Sequence, residues 1–172
     1  MRPVLRRILA AAAAILVTHA ATAQRAVFVV RHAEKQADTN DVAVPLSEAG
    51  RARATRLAAL LKNAGVTAIY STDFVRTLET AEPLARTLKI TVRKYSATGS
   101  DGKPDLAPLA RRLKAEHARD IVLVVGHSNT VPPLLKALGC VEDIEIPAAQ
   151  YDDLFAVVPT GGGPPTLLRL TY

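Results

Sequence analysis

Two unbroken aliphatic runs in this 172-residue chain each end on a histidine. The first, Ala26-Val27-Phe28-Val29-Val30, runs into Arg31-His32, and the second, Ile121-Val122-Leu123-Val124-Val125, runs into Gly126-His127. An aliphatic run of this length with no polar alternation is the pattern of a strand covered on both faces, as in a parallel sheet flanked by helices. In such sheets ligands bind in the crevice outside the carboxyl ends of the strands. If the two strands are parallel and close, that crevice receives both imidazoles, with Arg31 beside them.

The rest of the chain alternates between the same two kinds of element. Ser47 is a candidate N-cap for a helix through Asn63, with Leu57, Leu60, Leu61 and Ala64 as its apolar face and Gly65 as its stop. Thr67–Ser71 reads as a strand. Phe74–Leu88 reads as a helix that Pro83 should kink or divide. Ile90–Tyr95 follows as a strand, and Ser96–Asp105 as a loop by composition. Pro104–Arg119 reads as a helix with the stripe Leu106, Leu109, Ala110 and Leu113. Thr130–Leu138 is a helix whose first turn tolerates Pro132 and Pro133. Leu154–Val158 and Thr166–Thr171 form a terminal pair, short enough in its connection for an antiparallel hairpin. The expectation is an α/β fold, a three-layer αβα sandwich on a mostly parallel central sheet with an antiparallel edge.

The first 23 residues read differently. Arg2, Arg6 and Arg7 precede the apolar run Ile8–Val17, and Ala21-Thr22-Ala23 supplies small residues before Gln24. This is the three-part pattern of a secretory signal peptide, too short in its apolar part for a span of about 20 residues. Cleavage after Ala23 would leave residues 24–172 as a single domain, exported to the periplasm or beyond, with no stable membrane insertion. The leader carries three of the 22 Lys and Arg and none of the 16 Asp and Glu, so the formal net charge falls from +6 to +3. No basic run is interleaved with aromatics, which argues against a nucleic-acid partner. The mild positive charge suits an anionic substrate. Cys140 is the only cysteine and reads as a small buried apolar residue rather than a nucleophile.

The chain has four histidines. His19 lies in the leader and His117 in a charged helical pattern expected to face water, which leaves His32 and His127 at the strand ends. Phosphate-loop and dinucleotide signatures are missing, and Gly126-His127-Ser128-Asn129-Thr130 does not make a serine nucleophile elbow. What remains is a cationic set of Arg31, His32, Arg76 and His127, Arg76 falling in the first turn of the helix after Thr67–Ser71. Two guanidiniums and two imidazoles are costly to gather without an anion, and arginine suits the forked recognition of phosphate oxygens. Helix starts at Ser71–Phe74 and Ser128–Thr130 would add backbone N–H donors. Two strand-end histidines could instead serve as metal ligands of a hydrolase.

Arg31-His32-Ala33-Glu34 resembles the Arg-His-Gly signature of the histidine phosphatase superfamily, the phosphoglycerate-mutase-like proteins. Pro45–Gly50, Tyr70–Ala81 and Val124–Ser128 resemble three further segments of that family, in its order. The resemblance spans Val27 to about Leu138. It implies a metal-independent phosphatase that needs no cofactor and hydrolyses phosphomonoesters through a phosphohistidine. His32 would be the nucleophile, with Arg31, Arg76 and His127 binding the phosphate oxygens and stabilising their charge. The third signature position is Ala33 rather than glycine, so ordinary backbone is expected there. The family's proton donor is an Asp or Glu, for which the candidates are Asp101 and Asp105 in the loop, and Glu34. Little chain is available for a lid, which suits a broad or bulky substrate, a phosphorylated small molecule or a phosphoprotein. It also argues against a phosphomutase, which needs a closed site. The alternative is a non-catalytic phosphate- or phosphoester-binding module of the same fold.

Overall fold

The computed structural model describes residues 25–172, so the leader reading lies outside the described residues. Six strands and four helices alternate: β1 (Ala26–Arg31), α1 (Glu48–Leu61), β2 (Val66–Ser71), α2 (Val75–Leu88), β3 (Val92–Lys94), α3 (Ala107–Glu116), β4 (Ile121–Gly126), α4 (Val131–Leu138), β5 (Asp153–Val158) and β6 (Thr166–Thr171). They form one sheet in the order β3-β2-β4-β1-β5-β6. The β3-β2-β4-β1 part is parallel, with Ala26–Arg31 paired residue for residue against Ile121–Gly126. β5 pairs antiparallel with both β1 and β6 and makes the antiparallel edge.

The period of two along each strand sorts its side chains between two cores. Val27, Val29, Tyr70, Val122, Val124 and Phe155 pack with Leu109, Leu113, Leu134 and Leu135 of α3 and α4. Val30, Ile69, Leu123, Val125 and Leu154 pack with Leu57, Leu61 and Leu84 of α1 and α2. Both faces are therefore covered, and the three-layer αβα sandwich expected from the aliphatic runs is what forms. The two runs lie side by side, which brings the ends of β1 and β4 together.

The helices differ from the expected pattern in instructive ways. Ser47 caps α1, its Oγ accepting from the Gly50 N–H at 3.1 Å. The buried stripe of α1 is Gly50, Ala54, Leu57, Ala58 and Leu61, while Leu60 is 52% exposed and does not belong to it. The face is set by Gly50, where a Cβ would stand 2.2 Å from the Glu34 carbonyl oxygen. That close approach turns the helix so that its small residues meet the chain beyond β1. Pro83 does not divide α2, which runs unbroken from Val75 to Leu88. A proline inside a helix costs about 3 kcal/mol, and the burial of Ala81, Leu84 and Ala85 against α1 and β2 offsets it. β3 shrinks to three residues at the sheet edge.

His117 does not face water. It is only 4% exposed, with Nε2 2.9 Å from the Tyr70 hydroxyl and Nδ1 2.7 Å from Asp120. Tyr70 is fully buried and its hydroxyl needs a partner. His117, at the C-cap of α3, supplies one by turning inward.

Candidate active site

The carboxyl ends of β1, β4 and β2 open onto a cavity of about 660 Å³, with Arg31, His32, Thr72, Asp73, Phe74, Arg76, His127 and Tyr151 among its lining residues. The two arginines and two histidines expected from the sequence thus line one cavity. Glu34, Asp101 and Asp105 do not line it. Glu34 is held by Arg53 at 2.7–3.0 Å through both carboxylate oxygens. Burial raises its pKa, but the Arg53 bond acts more strongly together with neighbouring charge and leaves it below the ordinary range. Asp101 accepts from the Lys103 N–H, and Asp105 from the Ala107 N–H ahead of α3.

His32 continues β1, its N–H donating to the Gly126 carbonyl at 2.9 Å. Its Nδ1 lies 2.7 Å from the Ala33 carbonyl oxygen. A carbonyl only accepts, so Nδ1 carries the proton and Nε2 keeps its lone pair. Burial, with the charges of His127, Arg76 and Arg31, pushes the His32 pKa down to about 3 against the opposing pull of the Ala33 carbonyl. Ala33 is fully buried and its N–H donates to Thr80 Oγ1 of α2 at 3.0 Å. Its backbone is ordinary, as expected for alanine in place of glycine.

The His127 ring stands edge-on to His32, with centroids 5.3 Å apart. Its Nε2 lies 2.9 Å from Thr72 Oγ1, and the Phe74 ring packs on it at 4.8 Å. Burial, reinforced by Arg76 and Arg31, lowers its pKa to about 4. The His127 N–H donates to Thr130 Oγ1 at 2.8 Å, which fixes the turn into α4.

Both arginines are tied down on one side. Three carbonyl oxygens, of Pro147, Ala148 and Gln150, converge on Arg31 Nη1 at 2.8–3.0 Å, and its guanidinium lies 3.9 Å from the Tyr151 ring centroid. Arg76 Nη1 donates to the Asp41 carbonyl at 2.8 Å, and its guanidinium lies 4.3 Å from the Phe74 ring centroid. Burial lowers the pKa of both. The Nε of each is buried without a hydrogen-bond partner among the described residues. Two fixed cations beside two neutral imidazoles make a basin suited to an oxyanion. Among the described residues no cluster of three or more His, Cys, Asp or Glu is placed to hold a metal ion. No described helix is long and apolar enough to cross a membrane.

The sequence brings Ser71–Phe74 to the site for its backbone N–H groups; Thr72, Asp73 and Phe74 line the cavity as well, and so does Tyr151, which no sequence signal pointed to. The first three follow β2 directly, so the strand-end logic used for the histidines reaches them too. Tyr151 sits just before β5, whose antiparallel direction puts its start at the same sheet edge as the ends of β1 and β4.

The sequence profile of the Histidine phosphatase superfamily (branch 1) matches residues 27–97, from β1 to the loop after β3. No curated protein matches the chain in sequence. Among solved structures, the protein histidine phosphatase SixA complexed with tungstate superposes with a TM-score of 0.68 at 21% identity, covering 85% of this chain and 96% of that one. An Escherichia coli K-12 protein described as an alpha-ribazole-5'-P phosphatase gives 0.66 at 16% identity, covering 86% and 96%. The mycobacterial glucosyl-3-phosphoglycerate phosphatase Rv2419c, complexed with VO3, gives 0.64 at 17% identity, covering 86% and 98%. At such identities the likeness is one of fold. The resemblance to the histidine phosphatase superfamily holds in both sequence and architecture.

Proposed function

From a chain of histidine phosphatase fold and family resemblance, we propose a metal-independent phosphatase that hydrolyses phosphomonoesters through a phosphohistidine at His32. The observation that carries the reading is the state of that ring. Its Nδ1 proton is committed to the Ala33 carbonyl, its Nε2 lone pair is free, and burial holds it neutral far below neutral pH. A neutral imidazole so oriented is a nucleophile ready to attack phosphorus.

Arg31, Arg76 and His127 bind the phosphoryl oxygens. Phosphoryl transfer needs positioning and charge stabilisation more than covalent assistance, and fixed guanidiniums supply both. A buried N–H without an acceptor costs about 1–3 kcal/mol, so an oxyanion that satisfies Arg31 Nε or Arg76 Nε would bind with that strain relieved. His127, neutral when free, gains a proton readily beside a bound dianion.

The substrate is a phosphorylated small molecule or a phosphoprotein of broad or bulky shape. Between β3 and α3 the chain forms only a loop with one isolated bridge, Thr98 to Pro104, and no helix or strand to serve as a lid. Lys35, Asn40, Lys94, Ser96 and Ser128 give the cavity a polar rim. The mature protein is the exported single domain of residues 24–172, released by cleavage after Ala23.

Rapid-quench labelling tests the reading. Turnover of a radiolabelled aryl phosphate is expected to leave acid-labile phosphate on His32, and His32→Ala to abolish both label and hydrolysis, with activity unchanged by a strong chelator. Tight phosphate binding with no label and no hydrolysis would instead establish the non-catalytic binding module.

A further inference from the structure

The cavity is lined by Asp73, a carboxylate distinct from Glu34, Asp101 and Asp105. We infer that Asp73 is the proton donor to the leaving oxygen, a role that rests on the phosphatase reading and gives the departing alcohol its proton.

The placement follows from the sheet. Strands β1, β4 and β2 are consecutive neighbours, and their ends carry His32, His127 and Asp73 respectively. Neighbouring strands are about 4.8 Å apart. Asp73 therefore lies across the sheet edge from His32, roughly 10 Å away by that spacing, with His127 between them. In-line transfer needs the attacking nitrogen and the leaving oxygen on opposite sides of phosphorus. An approach of about 3 Å on the nucleophile side and a hydrogen bond of about 3 Å on the acid side fit within that span.

Asp73 is also the carboxylate at liberty to act. The cavity-lining acids are Asp38 and Asp73. Asp38 is committed to Lys35 at 2.9 Å, with its side chain fully exposed. Asp73 forms no ion pair among the described residues. Its neighbours in sequence fix its position: Thr72 is bonded to His127 Nε2, and Phe74 packs on the His127 ring. The carboxyl thus stands exposed at the rim on a backbone anchored to the floor of the site.

In the first step the His32 Nε2 lone pair forms the N–P bond as the ester O–P bond breaks. The electron pair of that bond leaves on the ester oxygen, which takes the proton of the Asp73 carboxyl and departs as the alcohol. In the second step the Asp73 carboxylate accepts a proton from water as the water oxygen bonds to phosphorus. The N–P bond breaks, its electron pair returns to Nε2, and inorganic phosphate is released.

Leaving-group dependence tests the assignment on the full protein. Aryl phosphates of graded leaving-group acidity and one alkyl phosphate are compared for the native chain, His32→Ala, Asp73→Asn and Asp73→Glu. A dinitrophenolate leaves without a proton, whereas an alkoxide does not. Asp73→Asn is expected to lose about 100-fold or more in kcat/KM on the alkyl phosphate and less than about tenfold on dinitrophenyl phosphate, with partial rescue by Asp73→Glu. Retained dinitrophenyl phosphate hydrolysis also shows that the variant is folded. A parallel dependence in Asp73→Asn and the native chain, or a uniform loss across the series, overturns the assignment of Asp73 while leaving the phosphatase reading intact. If the native chain hydrolyses no member of the series, or His32→Ala hydrolyses them all, the phosphatase reading fails and the assignment falls with it.

Discussion

At the scale of single residues, the two histidines tie site chemistry to stability. Burial holds His32 at about 3 and His127 at about 4 in the folded chain, against an ordinary 6.5 when unfolded. Below 6.5 the unfolded state takes up protons that the folded state refuses, and stability then falls as pH falls. Above 6.5 both states are neutral and the effect vanishes. Each histidine withdraws at most about 1.4 kcal/mol per pH unit, until the folded ring itself protonates. Urea unfolding followed from pH 7 to pH 4 is therefore expected to show a steep loss of stability, flattened in His32→Ala and His127→Ala. Added phosphate should restore part of it, because a bound anion favours the charged rings. The residues behind this behaviour were legible in the sequence as strand-end histidines. Their neutrality was not, because it depends on burial by Tyr151, Phe74 and Thr72, which come from elsewhere in the chain.

At the scale of elements, the chain beyond β1 is set by how closely α1 can approach it. Gly50 admits that approach, and its replacement by alanine would drive a Cβ into the Glu34 carbonyl. Overpacking of this kind costs about 1–3 kcal/mol, so Gly50→Ala should lower the unfolding free energy measured in urea by that amount. It should also lower kcat, since Glu34 is two residues from His32. Tyr70→Phe in β2 removes the hydroxyl that joins β2 to His117 at the end of α3. It should cost about 1 kcal/mol in the same measurement without changing kcat, since this network lies outside the cavity. Strand positions were readable because aliphatic runs have few alternatives. Helix faces were less so: the expected stripe put Leu60 inward, but a helix orients to suit its closest contact, here a glycine. Pro83 signalled a division of α2 that does not occur, as a local penalty is visible in sequence and the packing that outweighs it is not. His117 was assigned to solvent from its charged neighbours, whereas its orientation is decided by a tyrosine 47 residues away.

At the scale of the whole molecule, the parallel core and the antiparallel edge each bring residues to one end of the sheet. Oxyanion binding should therefore stabilise the entire fold. Any ligand that binds only the native state raises stability by about 2.7 kcal/mol at a hundred times its Kd. Tungstate or vanadate is expected to raise Tm for the native chain and not for Arg76→Ala, as thermal unfolding would show. The overall architecture was legible because strand and helix patterns alternate cleanly and leave few α/β topologies open. The choice of proton donor was not, because nearness in sequence favoured Glu34 and loop composition favoured Asp101 and Asp105. Neither signal reports which acids face the cavity. Arg31 joins the end of β1 to the stretch ahead of β5, since one nitrogen of its guanidinium holds the 147–150 segment in place. A long side chain normally forfeits rotational freedom when it captures a ligand. Here that forfeit is complete before any ligand arrives, so association at this arginine should carry an unusually small entropic penalty. Shortening the segment it grips would bring the penalty back.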